Sequence, residues 1–285
     1  MAPKLRTAVL GAGMLGIDLA RRLIGSDSLD APLVAGREGS SGLRQAARMG
    51  CTVSTSGIQA VLNAHVDVVF DASSAEAHPA HWAELASEDV MLIDLTPSSG
   101  GTMVAPTVNG FRAESHRHLS LVSCGGQAVL PVLDVVAKHS HVTYVEVVTT
   151  VASASVGPAT RNNLDEYVST TGYAVRRLTD ADTTKVLATI SPALPAPAFR
   201  AQITALADRI DKVALLAGVE SVASAVREFA PGYEVTALSV SENRITATVT
   251  VTARGGSLPA FAGNVEIINA AAITLAERYA SSRRA

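Results

Sequence analysis

Aromatic residues make up only 4% of this 285-residue chain, and cysteine occurs just twice, at Cys51 and Cys124. So few cysteines exclude a disulfide-stapled scaffold. Charge is sparse and nearly balanced, with 23 basic and 26 acidic residues for a net of −3, and no Lys/Arg run exceeds two residues. A nucleic-acid binder carries a basic stripe or patch, so no nucleic-acid partner is expected. No apolar stretch approaches the roughly 20 residues of a membrane span. Met1–Thr7 also lacks the apolar region of a secretory signal. No membrane partner is expected, and the chain reads as cytoplasmic.

What is abundant is small and apolar. Hydrophobic residues reach 48%, enough for a large core, and Ala, Val and Gly suit close helix–sheet packing. The length favours two domains. Leu5–Leu10, Pro32–Ala35, Cys51–Val53, Val66–Asp71, Val90–Asp94 and Leu119–Ser123 read as short strands. Helical stretches at Ile17–Ile24, Gly42–Met49, Ile58–Leu62 and Ala75–Ser87 alternate with most of them. Continuous apolar strands between helices predict a parallel sheet covered on both faces. The fold class is therefore α/β, an N-terminal Rossmann doubly wound sheet over residues 1–130, completed by a C-terminal helix at about 262–285. Residues 131–261 change character. A long β-rich run, Val142–Ala152, precedes helix-like Asn163–Val175, strand candidates within 185–190 and 201–213, helical Val219–Ala230, and a strand pair, Glu234–Val240 and Arg244–Ala253. This predicts an α+β second domain serving catalysis and dimerisation.

The turn after the first strand reads Gly11-Ala12-Gly13-Met14-Leu15-Gly16, a G-x-G-x-x-G fit between strand and helix. The first glycine makes the turn, the second admits a pyrophosphate, and the third lets helix and strand pack closely. The plain alternative is a glycine turn that binds nothing. At the end of the second strand an acid normally reaches the ribose hydroxyls. Here Arg37 stands there, followed by Glu38, Ser40 and Ser41. A guanidinium suits a 2′-phosphate, so NADP is favoured over NAD, with Glu38 as the competing reading.

A second turn, Leu121–Gln127 (LVSCGGQ), leads from a strand into a helix-like segment containing Pro131. Backbone N–H groups and the helix dipole at such a turn favour a thiolate, which makes Cys124 a candidate nucleophile. Its glycines would leave room for a substrate carbonyl. A buried structural cysteine is the alternative, and it is the reading for Cys51. Asn163 is either an amide donor to a developing oxyanion or, with Asn162, a helix cap. The pairs His116/His118 and His139/His141 lack an accompanying carboxylate or cysteine cluster and read as solvated loop histidines, so no metal ligand is assigned. Asp94, before Thr96-Pro97, reads as a turn former.

Several ordered motifs carry a resemblance: DLTPSS (94–99), SCGGQA (123–128), SASVGPATRNNLDEY (153–167), STTGYA (169–174), PGY (231–233) and LPAFAGN (258–264). The chain resembles, nearly end to end, the acylating acetaldehyde dehydrogenases that partner 4-hydroxy-2-oxovalerate aldolase. The resemblance implies an acyl thioester on Cys124, assistance by Asn163, and a nicotinamide cofactor lined by Ser155, Gly157, Pro158, Thr160, Arg161 and Asn264. It also implies a small aldehyde or acyl thioester substrate, coenzyme A as cosubstrate, a homodimer, and an aldolase partner. Three features depart from the family: Arg37 where an acid is usual, Ala201 where the family has a catalytic aspartate, and a shorter segment between PGY and AGN. Other readings stay open. One is an NADP-dependent semialdehyde or aldehyde dehydrogenase that does not use coenzyme A. The other is a silent cofactor-binding subunit.

Overall fold

The strand β1 (Thr7–Leu10) is buried at all its positions, as a strand with both faces covered must be. In the computed structural model, which describes residues 3–98, 100–255 and 257–284, β1 lies within the first of two units, formed by residues 3–104, 110–121 and 272–284. After it come α1 (Met14–Ile24), β2 (Leu33–Ala35), α2 (Ser41–Arg48), β3 (Thr52–Ser54), α3 (Ile58–Ala64), β4 (Val68–Asp71), α4 (His78–Leu85), β5 (Met91–Asp94), β6 (Thr102–Val104) and β7 (His118–Leu121). The strands make one sheet in the order β3-β2-β1-β4-β5-β7-β6, and all its pairings are parallel. The order reverses between β1 and β4. Ligands of open α/β sheets bind beyond the carboxyl ends of the strands at such a point. Ala8, Leu10, Val69 and Leu92 form the core of one face, with Val61 and Leu85 from the helices.

The second unit holds residues 105–109 and 122–271. Its elements are α5 (Cys124–His139), β8 (Val142–Ala152), α6 (Pro158–Asn162), α7 (Leu164–Thr179), β9 (Thr183–Ser191), β10 (Phe199–Ala207), α8 (Lys212–Phe229), β11 (Tyr233–Val240), β12 (Arg244–Val251) and the first part of α9 (Gly263–Ser282). The sheet order is β11-β12-β10-β8-β9. Only β8–β9 is parallel; the other pairings are antiparallel. Burial alternates along β10, from Phe199 inward to Arg200 outward and onward, so one face is packed and the other is open. Helix α5 is buried from Gly125 through Val136. A helix apolar all round belongs in an interior, and α5 packs on α7, α8 and β10.

The structure differs from the sequence-based expectation in four places. The second unit takes in residues 105–109 and then the chain from Val122, not 131, because α5 packs with that unit's elements. The last helix is shared between units, and only residues 272 onward belong to the first. Strand β6, three residues after a glycine pair, carries too short an apolar pattern to read in sequence. His118 is buried in β7, not solvated; His116, His139 and His141 are exposed. Asp94 does form its turn, accepting from the Thr96 N–H at 2.7 Å. No described helix is long and apolar enough to cross a membrane.

Candidate active site

Cys124 is the first residue of α5. Ser123 caps this helix, its Oγ accepting from the Gly126 N–H at 3.1 Å, which satisfies one of the amides a helix start leaves open. Ser123 Oγ also meets Thr171 Oγ1 of α7 at 2.6 Å. Gln127 donates back to the Val122 carbonyl. The turn is therefore held from both sides, and Cys124 is half-buried in it.

The Tyr167 hydroxyl of α7 lies 3.8 Å from Cys124 Sγ and 3.4 Å from Thr149 Oγ1 of β8. A Cβ on Gly125 would stand 2.4 Å from that hydroxyl and 2.6 Å from Thr149 Cγ2. The glycine thus admits Tyr167 and Thr149, not a substrate carbonyl as the sequence suggested. The thiol also departs from expectation. Burial pushes it up to about 11, while the Tyr167 hydroxyl and the Gly125 and Cys124 N–H groups pull it down. The dipole effect is present, but desolvation outweighs it. Tyr167 is itself raised by burial and by the facing Cys124.

Sequence reasoning missed Tyr167 and Thr149. The available signal was helical spacing: Tyr167 lies one turn beyond Asn163, whose carbonyl accepts the Tyr167 N–H at 3.0 Å. Asn163 occupies the N-cap position of α7, yet its side chain makes no capping bond. Ala201, at the position of the expected aspartate, is fully buried on β10. It pairs across the ladder with Thr149, so the missing carboxylate would have entered this neighbourhood.

In the same unit Ser155 and Asn264 meet, Asn264 Nδ2 donating to the Ser155 carbonyl at 3.3 Å. The Asn264 Oδ1 is buried without a hydrogen-bond partner, a costly state for an amide oxygen unless a ligand donor reaches it. Gly157 caps α6 and Pro158 opens it. Arg161 spends its donors on its own loop, at Val156 O and at Ser153 O and Oγ. It therefore holds the loop's shape. Thr160 is exposed, and its carbonyl accepts the Asn163 N–H.

The glycine turn lies in the first unit. Gly11 has φ +104°, and a Cβ there would be 2.4 Å from the Ala72 carbonyl oxygen. A Cβ on Gly16 would be 1.9 Å from the Gly11 oxygen, whereas one on Gly13 would meet nothing within 4 Å. The first and third glycines are thus required by packing, and the second faces open space, where a pyrophosphate is accommodated in such turns. Ala12, Met14 and Leu15 complete the turn and the start of α1, with Met14 exposed. Gly36 at the end of β2 abuts Ala12. Next to it, Arg37 and Glu38 are both exposed.

The family model for "Prokaryotic acetaldehyde dehydrogenase, dimerisation" matches residues 124–259. An acetaldehyde dehydrogenase of Streptomyces griseus is 49% identical, covering 96% of this chain and 90% of its own. One of Pectobacterium atrosepticum is 39% identical, covering 98% and 97%. Among solved structures, aspartate semialdehyde dehydrogenase II of Vibrio cholerae superposes with a TM-score of 0.68 at 16% identity, covering 99% of each chain. A probable aspartate-semialdehyde dehydrogenase of Pseudomonas aeruginosa does so with 0.64 at 16% identity, covering 97% and 98%. These two share the two-domain fold. The near-full-length identity to the first two relatives places the chain in the acetaldehyde dehydrogenase family.

Proposed function

We propose that this protein is an aldehyde dehydrogenase that forms a thioester on Cys124 and passes the acyl group to coenzyme A. The observation that carries the reading is Cys124 at the start of a buried helix, its sulfur facing both backbone N–H groups and the Tyr167 hydroxyl. In the reaction, the Cys124 sulfur bonds to the aldehyde carbon while the carbonyl pair moves onto oxygen and takes up the thiol proton. Asn163 is placed in the proposal as the amide donor to that oxygen, a role of the kind worth about 3 kcal/mol elsewhere. When bound, the oxidised dinucleotide supplies the hydride acceptor that turns this adduct into a thioester. The coenzyme A thiol then attacks the thioester carbon, Cys124 leaves with the sulfur–carbon pair, and the coenzyme A thiol proton passes to the departing Cys124 sulfur.

The residues fit a dinucleotide. Gly11, Ala12, Gly13, Met14, Leu15 and Gly16 would hold the pyrophosphate, and Arg37 the 2′-phosphate of NADP. Ser155, Gly157, Pro158, Thr160, Arg161 and Asn264 would hold the nicotinamide end. The unpartnered Asn264 oxygen suits a carboxamide N–H. We further assign a homodimer through the open face of the second unit's sheet, in line with the matched dimerisation family.

One observation favours a second reading. Ala201 leaves no carboxylate at the family's aspartate position, and acid–base groups are typically worth 10²–10⁴-fold. An enzyme that releases its acyl group to water would need different help at that step. The deciding experiment follows cofactor reduction with a panel of short aldehydes, with and without coenzyme A. Turnover that requires coenzyme A and yields acyl-CoA supports the first reading; coenzyme-independent release of the acid replaces it with the second. Absence of any Cys124 acylation by aldehyde plus cofactor overturns both.

A further inference from the structure

Two aspartates and two histidines form a buried cluster in the first unit that the proposed dehydrogenase chemistry does not use. Asp71 ends β4 and Asp94 ends β5, and both are fully buried. His78 opens α4 and is 1% exposed; His118 opens β7 and is 8% exposed. One oxygen of Asp71 accepts from His78 Nδ1 at 2.9 Å and from His81 Nδ1 at 2.8 Å. With Nδ1 committed to Asp71, a neutral His78 presents the lone pair of Nε2. That Nε2 faces His118 Nε2 at 2.9 Å and Asp94 Oδ2 at 3.4 Å. Three ligand-type atoms thus converge within 4.8 Å of one another. Two ligands at about 2.0–2.1 Å from a tetrahedral ion stand roughly 3.3 Å apart, between the two distances seen.

We propose that His78, His118 and Asp94 form a site for a zinc-class divalent cation, with Asp71 as the outer carboxylate that fixes His78. The charge balance favours it. Two fully buried carboxylates concentrate negative charge in one cluster, which is expensive at this depth unless positive charge meets it. Among the described residues no lysine or arginine forms an ion pair with either carboxylate; their partners are His78 and His81. The donor set of two imidazole nitrogens and one carboxylate suits zinc, cobalt or nickel over magnesium or calcium. A carboxylate behind a ligating histidine is the usual support of such sites.

The surroundings hold the donors in place. The Trp82 ring lies over His118, centroids 4.4 Å apart. A Cβ on Gly100 or Gly101 would come within 3.2 or 2.7 Å of the His118 ring, so this glycine pair exists to admit the imidazole. Asp94 Oδ2 is further engaged by Ser98 and Ser120. The inference is independent of Cys124 and of the cofactor.

The test uses the full-length protein, stripped with a chelator and dialysed. Zinc is titrated against a chromophoric zinc indicator, and cobalt is followed by its visible absorption. The expected result is one ion per chain with a dissociation constant of micromolar or lower. His118→Asn and Asp94→Asn each weaken it at least about 100-fold and abolish the cobalt band, while His141→Asn at the exposed pair changes neither. No stoichiometric binding, or binding that His118→Asn leaves intact, overturns the site and leaves the cluster a proton-sharing pair. Should the variants fail to fold, X-ray absorption at the zinc edge of the loaded wild type reads the same site. Two imidazole nitrogens and an oxygen in the first shell uphold it, and a sulfur ligand or absent imidazole scattering refutes it.

Discussion

Tyr167 sets its hydroxyl 3.8 Å from the sulfur of Cys124, across from Thr149. A donor in that position stabilises a thiolate more than a thiol, since hydrogen bonds to charged groups are worth about 1.5–3 kcal/mol against about 1 for neutral ones. Tyr167→Phe is therefore expected to slow alkylation of Cys124 by iodoacetamide about tenfold near neutral pH and to displace its pH profile upward. The phenyl ring keeps the packing, so the melting temperature serves as the control. An unmoved profile would show that the hydroxyl does not act on the sulfur.

The free protein should hold Cys124 as a thiol. A thiol is neutral when protonated, so burial favours that form and raises its titration, here to about 11. Its alkylation rate should climb about tenfold per pH unit from pH 7 upward without levelling before pH 10. A plateau near pH 8 would contradict the burial argument. Cys124→Ser should abolish turnover and leave cofactor binding intact, and Cys51→Ser should change neither.

Two glycines make an instructive contrast. A Cβ on Gly125 collides with Tyr167 and Thr149, whereas one on Gly13 meets nothing. Gly125→Ala should cost about 1–3 kcal/mol of stability as overpacking. Gly13→Ala should leave the melting temperature nearly unchanged, since its Cβ meets nothing, and weaken cofactor binding at least tenfold if the proposed pyrophosphate occupies that space. Calorimetry of both variants, with titration of the second, tests the pair. Unchanged cofactor affinity in Gly13→Ala would remove the pyrophosphate from that turn.

In the proposed reading, cofactor choice rests on Arg37 and its exposed neighbour Glu38. A guanidinium donates charge-assisted bonds to a phosphate and accepts none from a diol. Allowing for a wet rim, NADP should bind roughly ten- to a hundredfold more tightly than NAD. Arg37→Asp should reverse the order. Dissociation constants for both cofactors decide it, and a wild type that prefers NAD would hand the role to Glu38.

The parallel sheet was legible because its strands are unbroken apolar runs between glycine and helix, as in Val68–Asp71. The strand-to-helix turn at Cys124 was legible because strand, Cys-Gly-Gly and helix follow in sequence. What escaped notice depends on distant partners. Gly125 reads as open space in a sequence, but its space is filled from α7 and β8. His118 reads as a loop residue because its neighbours in the chain are polar, yet α4, β4 and β5 close over it. The pull of a helix dipole on Cys124 can be anticipated from order along the chain. The opposing desolvation cannot, because it comes from side chains such as Thr149 and Tyr167, brought in from β8 and α7.

The first unit is discontinuous along the chain. Residues 272–284 rejoin a body begun at β1, where Ser26 Oγ donates to Glu277 Oε1 at 2.8 Å and Arg283 reaches Asp89. During synthesis the glycine turn therefore emerges first, but the body that carries it stays unfinished until the whole intervening unit has left the ribosome. The interruption also bears on dissection. No single cut yields the first unit intact, so an isolated version of it has to be built from the chain up to Leu121 joined to residues 272–284. A plain N-terminal truncation product would lack the turns that pack against Ser26 and Asp89.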